Sequence, residues 1–253
     1  MLPAGYTPAG QVSPELADGT RATPWAASRR TVDHMRIVIA GGHGKIALLL
    51  SRLLSDAGHQ PVGLIRDANQ AADLAEVGAD FIELDLENST VTDVAAVLIG
   101  AGAAVFAAGA GPGSGDARKL TLDRDGAILF ADAAVAAGVR RFVVISSIGA
   151  ATGDAVPAGD MSVYLRAKGE ADAAVQQRDL DWTIVRPVAL TDDGATGLVT
   201  VGPTVEHGSI PRADVAAVIA AVLLEGLASR AMFELTGGGV PISEALRGLE
   251  PTP

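Results

Sequence analysis

The stretch Arg36-Ile-Val-Ile-Ala40-Gly41-Gly42-His43-Gly44-Lys45-Ile46-Ala47 decides the fold. A β-branched apolar run ends in glycines and gives way at Lys45 to a helical pattern, so strand, turn and helix follow one another directly. Both Gly42-x-Gly44-x-x-Ala47 and Gly41-x-x-Gly44-x-x-Ala47 can be read there. Either way, the missing side chains let the backbone turn sharply and let a pyrophosphate approach the amides at the positive end of the helix. The small Ala47 lets helix and strand pack closely. The predicted contacts are Gly41, Gly42, His43, Gly44, Lys45 and Ile46. A mononucleotide P-loop is excluded, because Ile39 stands where its first glycine belongs and Ile46 where its Ser or Thr belongs.

Outward from this turn the chain alternates short apolar runs with longer helical patterns. Strands are expected at 36–40, 61–65, 81–84, 103–107, 141–145, 182–185 and 232–235, and helices at 45–57, 68–77, 91–98, 120–137, 162–177 and 213–227. Right-handed crossovers turn that alternation into an α/β fold of Rossmann type, a doubly wound parallel sheet in strand order 3-2-1-4-5-6 with a seventh strand at the edge. Residues 35–239 are expected to form this single domain. Residues 1–34, rich in Pro, Gly, Ala, Ser and Thr, read as a disordered extension, and 240–253 as a C-terminal tail.

The 253 residues carry a formal charge of −11, which repels a phosphate backbone, so nucleic acid is not an expected partner. No apolar run reaches the roughly twenty residues that span a bilayer, so no membrane is expected either. The chain has no cysteine, which removes disulfides, thiolate metal sites and thiol nucleophiles and fits a cytoplasmic setting. His34, His43, His59 and His207 do not pair at helical spacing, so no metal site is expected.

The second strand ends in Leu-Ile-Arg66-Asp67, where an NAD enzyme usually places an acid on the ribose 2′-hydroxyl. A guanidinium at that position suits a 2′-phosphate, so NADP(H) is preferred and NAD(H) is the second choice. Asp67 is equally suited to capping the next helix. After the third strand Asp85 and Leu86 are placed to meet the adenine, and after the fourth Ala107-Ala108-Gly109 lets the chain pass close to the cofactor.

These features, with Phe-Val-Val-Ile-Ser146-Ser147-Ile-Gly-Ala, Tyr164-Leu-Arg-Ala-Lys168, Ile-Val-Arg186-Pro187 and Ile-Pro-Arg212-Ala-Asp214-Val, resemble the atypical short-chain dehydrogenase/reductase superfamily, in particular the NAD(P)H-binding group related to biliverdin/flavin reductase B and NmrA-like proteins. The resemblance runs from Met35 to about Gly239. It implies that Lys168 holds the nicotinamide ribose and supports Tyr164 as proton donor, while Ser147, or Ser146 if the register differs by one, steadies the substrate carbonyl. It also implies that Pro187 turns the backbone toward the nicotinamide carboxamide, with Val188 and Leu190 supplying that contact. The four-residue spacing of Tyr164 and Lys168 independently puts both on one helix face. Asp123-x-x-Gly126 stands where related sequences often carry Asn-x-x-Gly, a departure from the pattern.

Three activities are compatible with this reading. The first is an NADPH-dependent oxidoreductase acting on a small carbonyl, quinone or flavin-like acceptor. The second is a non-catalytic NADP(H)-binding sensor of the NmrA-like type. The third, a nucleotide-sugar epimerase or dehydratase, is disfavoured by the short span between the sixth strand and the late helix. A small-molecule substrate and a monomer or homodimer are expected.

Overall fold

The computed structural model describes residues 34–111, 113–150 and 159–249. The expected extension 1–34, apart from His34, lies outside the described residues, as does most of the loop between Ala150 and Met161. In the body from His34 onward the chain runs β1 (Arg36–Ala40), α1 (Lys45–Asp56), β2 (Gln60–Ile65), a 3-10 turn (Ala68–Gln70) leading into α2 (Ala71–Glu76), and β3 (Asp80–Glu83). A second 3-10 turn (Leu86–Asn88) precedes α3 (Val91–Leu98) and β4 (Ala103–Phe106). Then come α4 (Asp116–Arg118), a π-helical segment (Lys119–Gly126), α5 (Ala127–Ala137), β5 (Arg141–Ile145), α6 (Asp160–Gln176) and β6 (Asp181–Pro187). The chain continues through β7 (Ala189–Thr191), β8 (Leu198–Gly202), β9 (Ser209–Pro211), α7 (Arg212–Glu225), β10 (Ala231–Gly237), β11 (Val240–Pro241) and α8 (Ile242–Arg247).

The main sheet is ordered β11-β8-β10-β6-β5-β4-β1-β2-β3. From β3 to β6 this is the expected 3-2-1-4-5-6 with every pair parallel, and β10 is the seventh strand, parallel to β6. Two further strands extend that edge: β8 and β11 are antiparallel, β8 against β10 and β11 against β8. A separate two-stranded sheet pairs β7 with β9. The central strands β1 and β4 are buried on both faces, as a parallel sheet covered by helices requires. One apolar cluster lies between the sheet and α1 and α7, and a second between the sheet and α3, α5 and α6, the latter stacked around Phe106, Phe130 and Phe142.

Two sequence expectations need correction. The helix expected over 120–137 is not uniform, because its first part is π-wound from Lys119 to Gly126 before α5 begins. The wider turn carries Lys119, Leu122, Asp123 and Gly126 on its buried side, and propensity alone contains no signal for it. The segment after Gly239, expected as a tail, holds β11 and α8 and seats Leu246 in the core, 1% exposed. Its pattern is too short to stand out from the sequence, and only the partner strand β8 gives it a place.

Candidate functional site

The carboxyl ends of β1, β2, β3 and β4 open into a cleft of about 290 Å³. The sequence-predicted residues Gly41, His43, Gly44, Arg66, Asp85, Leu86, Ala107, Ala108 and Gly109 all line it. The glycines act in different ways. Gly41 has φ +75°, and a Cβ there would come within 2.6 Å of the Ala108 Cα, so the turn and the loop after β4 can meet only if the residue is glycine. A Cβ on Gly42 would stand 2.4 Å from the Gly63 Cα, on β2. Gly42 therefore works behind the cleft, closing the turn onto the neighbouring strand.

Gly44 is the N-cap of α1, and no side chain caps that helix. The first-turn amides of Lys45, Ile46 and Ala47 therefore lack intrahelical partners and face the turn with the positive end of the helix dipole. Arg66 follows β2, is exposed, lines the cleft and makes no salt bridge among the described residues. An open glycine cradle, an uncapped helix end and an unengaged guanidinium beyond the second strand together fit the pyrophosphate and adenosine half of a dinucleotide. Asp67 is turned to capping, accepting the Asn69 amide at 2.9 Å. Asp85 likewise caps the turn after β3, accepting the Glu87 amide at 3.0 Å and the Asn88 side-chain amide at 2.7 Å while still lining the cleft. His43 contacts Asp73 at 2.5 Å, and Lys45 reaches Asp192 at 2.6 Å, an oxygen pair that Asp192 shares with Arg212.

Two lining residues that sequence reasoning missed, Glu87 and Arg118, meet at the edge of the cleft. Arg118 Nε donates to Glu87 Oε2 at 3.1 Å, and Thr121 Oγ1 donates to Glu87 Oε1 at 2.6 Å. Glu87 follows the expected Asp85-Leu86 directly, but its partner arrives from the helix after β4, a pairing no local pattern announces.

The second half of the site lies along α6. Tyr164, Lys168 and Asp172 follow one another at intervals of four, so they share one face and turn toward the ends of β4, β5 and β6. Tyr164 is half-buried, and its hydroxyl makes no hydrogen bond among the described residues. Lys168 is buried. Its Nζ donates to the Ile145 carbonyl at 3.2 Å, lies 3.2 Å from Asp123 Oδ1, and stands 5.9 Å from the centre of the Tyr164 ring. Burial pulls the ammonium down, but Tyr164, Asp123 and Asp172 outweigh it and hold the group above the usual lysine range. The other oxygen of Asp123 accepts the Ala110 amide at 3.1 Å, and Ala110 lines the cleft. The buried carboxylate thus joins the cofactor cleft to Lys168.

Asp172 anchors a second buried group that the sequence reading did not assign. Ser146 Oγ donates to it at 2.8 Å, and Arg186 Nε and Nη2 each lie 2.9 Å from the same oxygen. Burial pushes the Asp172 carboxyl above the usual carboxylate range against the pull of Arg186. This engages Ser146, whereas the Ser147 hydroxyl donates to the Ile148 carbonyl at 3.2 Å. Pro187 closes β6, the Val188 amide is taken by the Leu235 carbonyl at 3.0 Å with its side chain in the core, and Leu190 lies in β7. Among the described residues no His, Asp or Glu cluster could hold a metal ion, and no helix is long and apolar enough to cross a membrane.

Residues 41–225 match the sequence profile of a family described as NAD(P)H-binding. The chain is 34% identical over 216 residues to the uncharacterized sugar epimerase YhfK of Bacillus subtilis, covering 85% of this chain and 100% of that one. Among solved structures, a Bacillus halodurans protein that carries an NAD-dependent epimerase/dehydratase name superposes with a TM-score of 0.78 at 36% identity, covering 85% of this chain and 100% of that one. ChuY, an anaerobillin reductase from Escherichia coli O157:H7, superposes with a TM-score of 0.66 at 25% identity, covering 86% and 100%.

Proposed function

The chain belongs to the NAD(P)H-binding family, and from that premise we propose that it is an oxidoreductase that takes NADPH in preference to NADH and reduces a small carbonyl, quinone or flavin-like acceptor. The observation that carries this reading is the placement of Tyr164 beside a buried, charged Lys168 at the same end of the sheet as the cleft, with Asp123 bridging the two. When bound, the nicotinamide supplies two electrons as hydride. The chain's own part is to seat the pyrophosphate on the α1 amides, to hold a 2′-phosphate with Arg66, and to deliver a proton from the Tyr164 hydroxyl to the acceptor oxygen. Ser147, not drawn into the Asp172 group, is the hydroxyl left to steady that oxygen.

Two relatives carry epimerase names, and the architecture argues for reduction instead. The span from Val188 to Pro211, where a nucleotide-sugar site would need chain, is used by β7, β8 and β9. ChuY, a reductase by name, is similar over its whole length. The test is NADPH consumption with a panel of quinones, aldehydes and flavins. Oxidation of NADPH coupled to acceptor loss supports the reading, and redox-neutral conversion of a nucleotide sugar overturns it.

A further inference from the structure

Lys45 and Arg212 are each the first residue of a helix, a position that the helix dipole makes unfavourable for a cation. The two helices pack on one face of the sheet and start at the same end of it. α1 leaves the carboxyl end of β1, and α7 returns the chain to the amino end of the parallel strand β10. Gly44 and Pro211 hold the N-cap positions, so no side chain caps either helix. Asp214, the acid in the first turn of α7, is buried and committed to the loop before β8, where it accepts the Thr196 amide at 3.0 Å and the Gly197 amide at 2.8 Å. Two helix ends and two cations thus gather positive charge beside the glycine turn.

A single carboxylate meets that charge. Asp192, in the loop between β7 and β8, takes Lys45 Nζ on one oxygen and Arg212 Nη1 on the other, each at 2.6 Å. The bond from Lys45, with Arg212 behind it, holds the Asp192 carboxyl below the usual carboxylate range. Its side chain is 60% exposed and that of Lys45 67%, so the contact can open without uncovering the core. Carboxylate and phosphate oxygens make the same demand on an ammonium and a guanidinium. A pyrophosphate seated on the α1 amides would bring its own negative charge to this corner, where Asp192 repels it and occupies the cations it would use.

We infer that Arg212 is a further pyrophosphate-binding residue, and that Asp192 is a tethered stand-in for that anion, displaced from Lys45 and Arg212 when a dinucleotide binds. This rests on the dinucleotide reading of the cleft and adds two things to it. One is a cation from outside the glycine turn, and the other is a competing acid that loosens the cofactor and so eases exchange of the spent form for a fresh one. Exposed ion pairs are individually weak, so the stand-in lowers affinity without closing the site.

The test compares the full-length parent, Asp192→Ala, Arg212→Met and Asp192→Ala/Arg212→Met by titration calorimetry with NADPH, NADP, NADH and NAD. A competition assay adds 2′-AMP, which carries adenosine and the 2′-phosphate without the pyrophosphate. Asp192→Ala should bind all four dinucleotides about 3- to 10-fold more tightly, since two exposed ion pairs no longer have to be broken. That gain should shrink as salt is raised, and affinity for 2′-AMP should stay within about twofold of the parent. Arg212→Met should weaken dinucleotide binding, and by more in the Asp192→Ala background, where the guanidinium is free to meet the phosphates.

An Asp192→Ala protein that binds the dinucleotides no more tightly than the parent would overturn the inference. So would a double variant as tight as Asp192→Ala, because the gain would then owe nothing to Arg212. An equal gain for 2′-AMP would also overturn it, marking a diffuse field in place of a seat for pyrophosphate. Failure of the cleft reading looks different: none of the four dinucleotides would bind the parent or Asp192→Ala, which removes cofactor and stand-in together.

Discussion

Replacing Lys168 with methionine removes one member of a buried ion pair and leaves the other in place. The two side chains are 4% and 0% exposed, and methionine fills most of the lysine's volume, so the cost is electrostatic more than a matter of packing. A buried pair deprived of one partner loses about 3–5 kcal/mol at neutral pH, because the remaining carboxylate keeps its desolvation penalty without its counter-charge. In a domain of this size that lowers Tm by about 6–20 °C. The pH dependence gives the prediction its sign. Burial pulls the Lys168 ammonium down, but Tyr164, Asp123 and Asp172 together hold it above its ordinary 10.5. A group raised on folding contributes stability that is whole below its unfolded value and lost as pH rises through its folded one. The wild type should therefore weaken above about pH 10.5 in a step that Lys168→Met lacks. Adding Asp123→Asn should restore about half or more of the loss, since a neutral pair has no charge to bury. Urea unfolding of the three proteins from about pH 5 to about pH 11 measures all of this. A single variant within about 1 kcal/mol of wild type, or a double variant no more stable than the single, would refute the reasoning.

Further expectations concern the chemistry and the turn. Tyr164→Phe keeps the ring and deletes the proton donor, so acceptor reduction should fall by roughly 10²–10⁴-fold with NADPH affinity little changed; turnover at the wild-type rate would return Tyr164 to a structural role. Gly42→Ala drives a methyl to within 2.4 Å of the Gly63 backbone and should cost roughly 2–4 kcal/mol in thermal unfolding, with a Tm equal to wild type counting against the packing described. Gly44→Ala comes to 3.1 Å from the Gly41 carbonyl, with its other neighbours at ordinary contact distance, and should fold while binding the dinucleotide less tightly by calorimetry; equal affinity would remove Gly44 from the cradle.

Much of this architecture was legible along the chain because its signals are local. The run from Arg36 to Ala47 contains strand, turn and helix in one piece, and the central parallel strands β1, β4 and β5 are short, mostly apolar runs bounded by turns. The lining of the cleft was legible for the same reason, since strand ends carry it and strand ends are marked. What the sequence did not reveal depends on partners distant in the chain. β8 is made a strand by β10 and β11, and its own alternation is too brief to declare it. Gly63 reads as an ordinary interruption of β2 until Gly42 is seen against it. Asp123, Asp172 and Arg186 looked like members of a helix, another helix and a strand. Their meaning lies in which charges the fold buries together, and Asp123 meets Lys168 from within the π-helical segment.

The central claim is that the cleft holds a nicotinamide dinucleotide with Arg66 reading its 2′-phosphate, and titration calorimetry of NADPH, NADP, NADH and NAD against wild type and Arg66→Ala tests it most directly. The account predicts tighter binding of the phosphorylated pair by wild type, and a loss in Arg66→Ala of about 1.5–3 kcal/mol for NADP(H) with little change for NAD(H). Equal losses for both pairs, or no binding of any of the four by the folded protein, would contradict it.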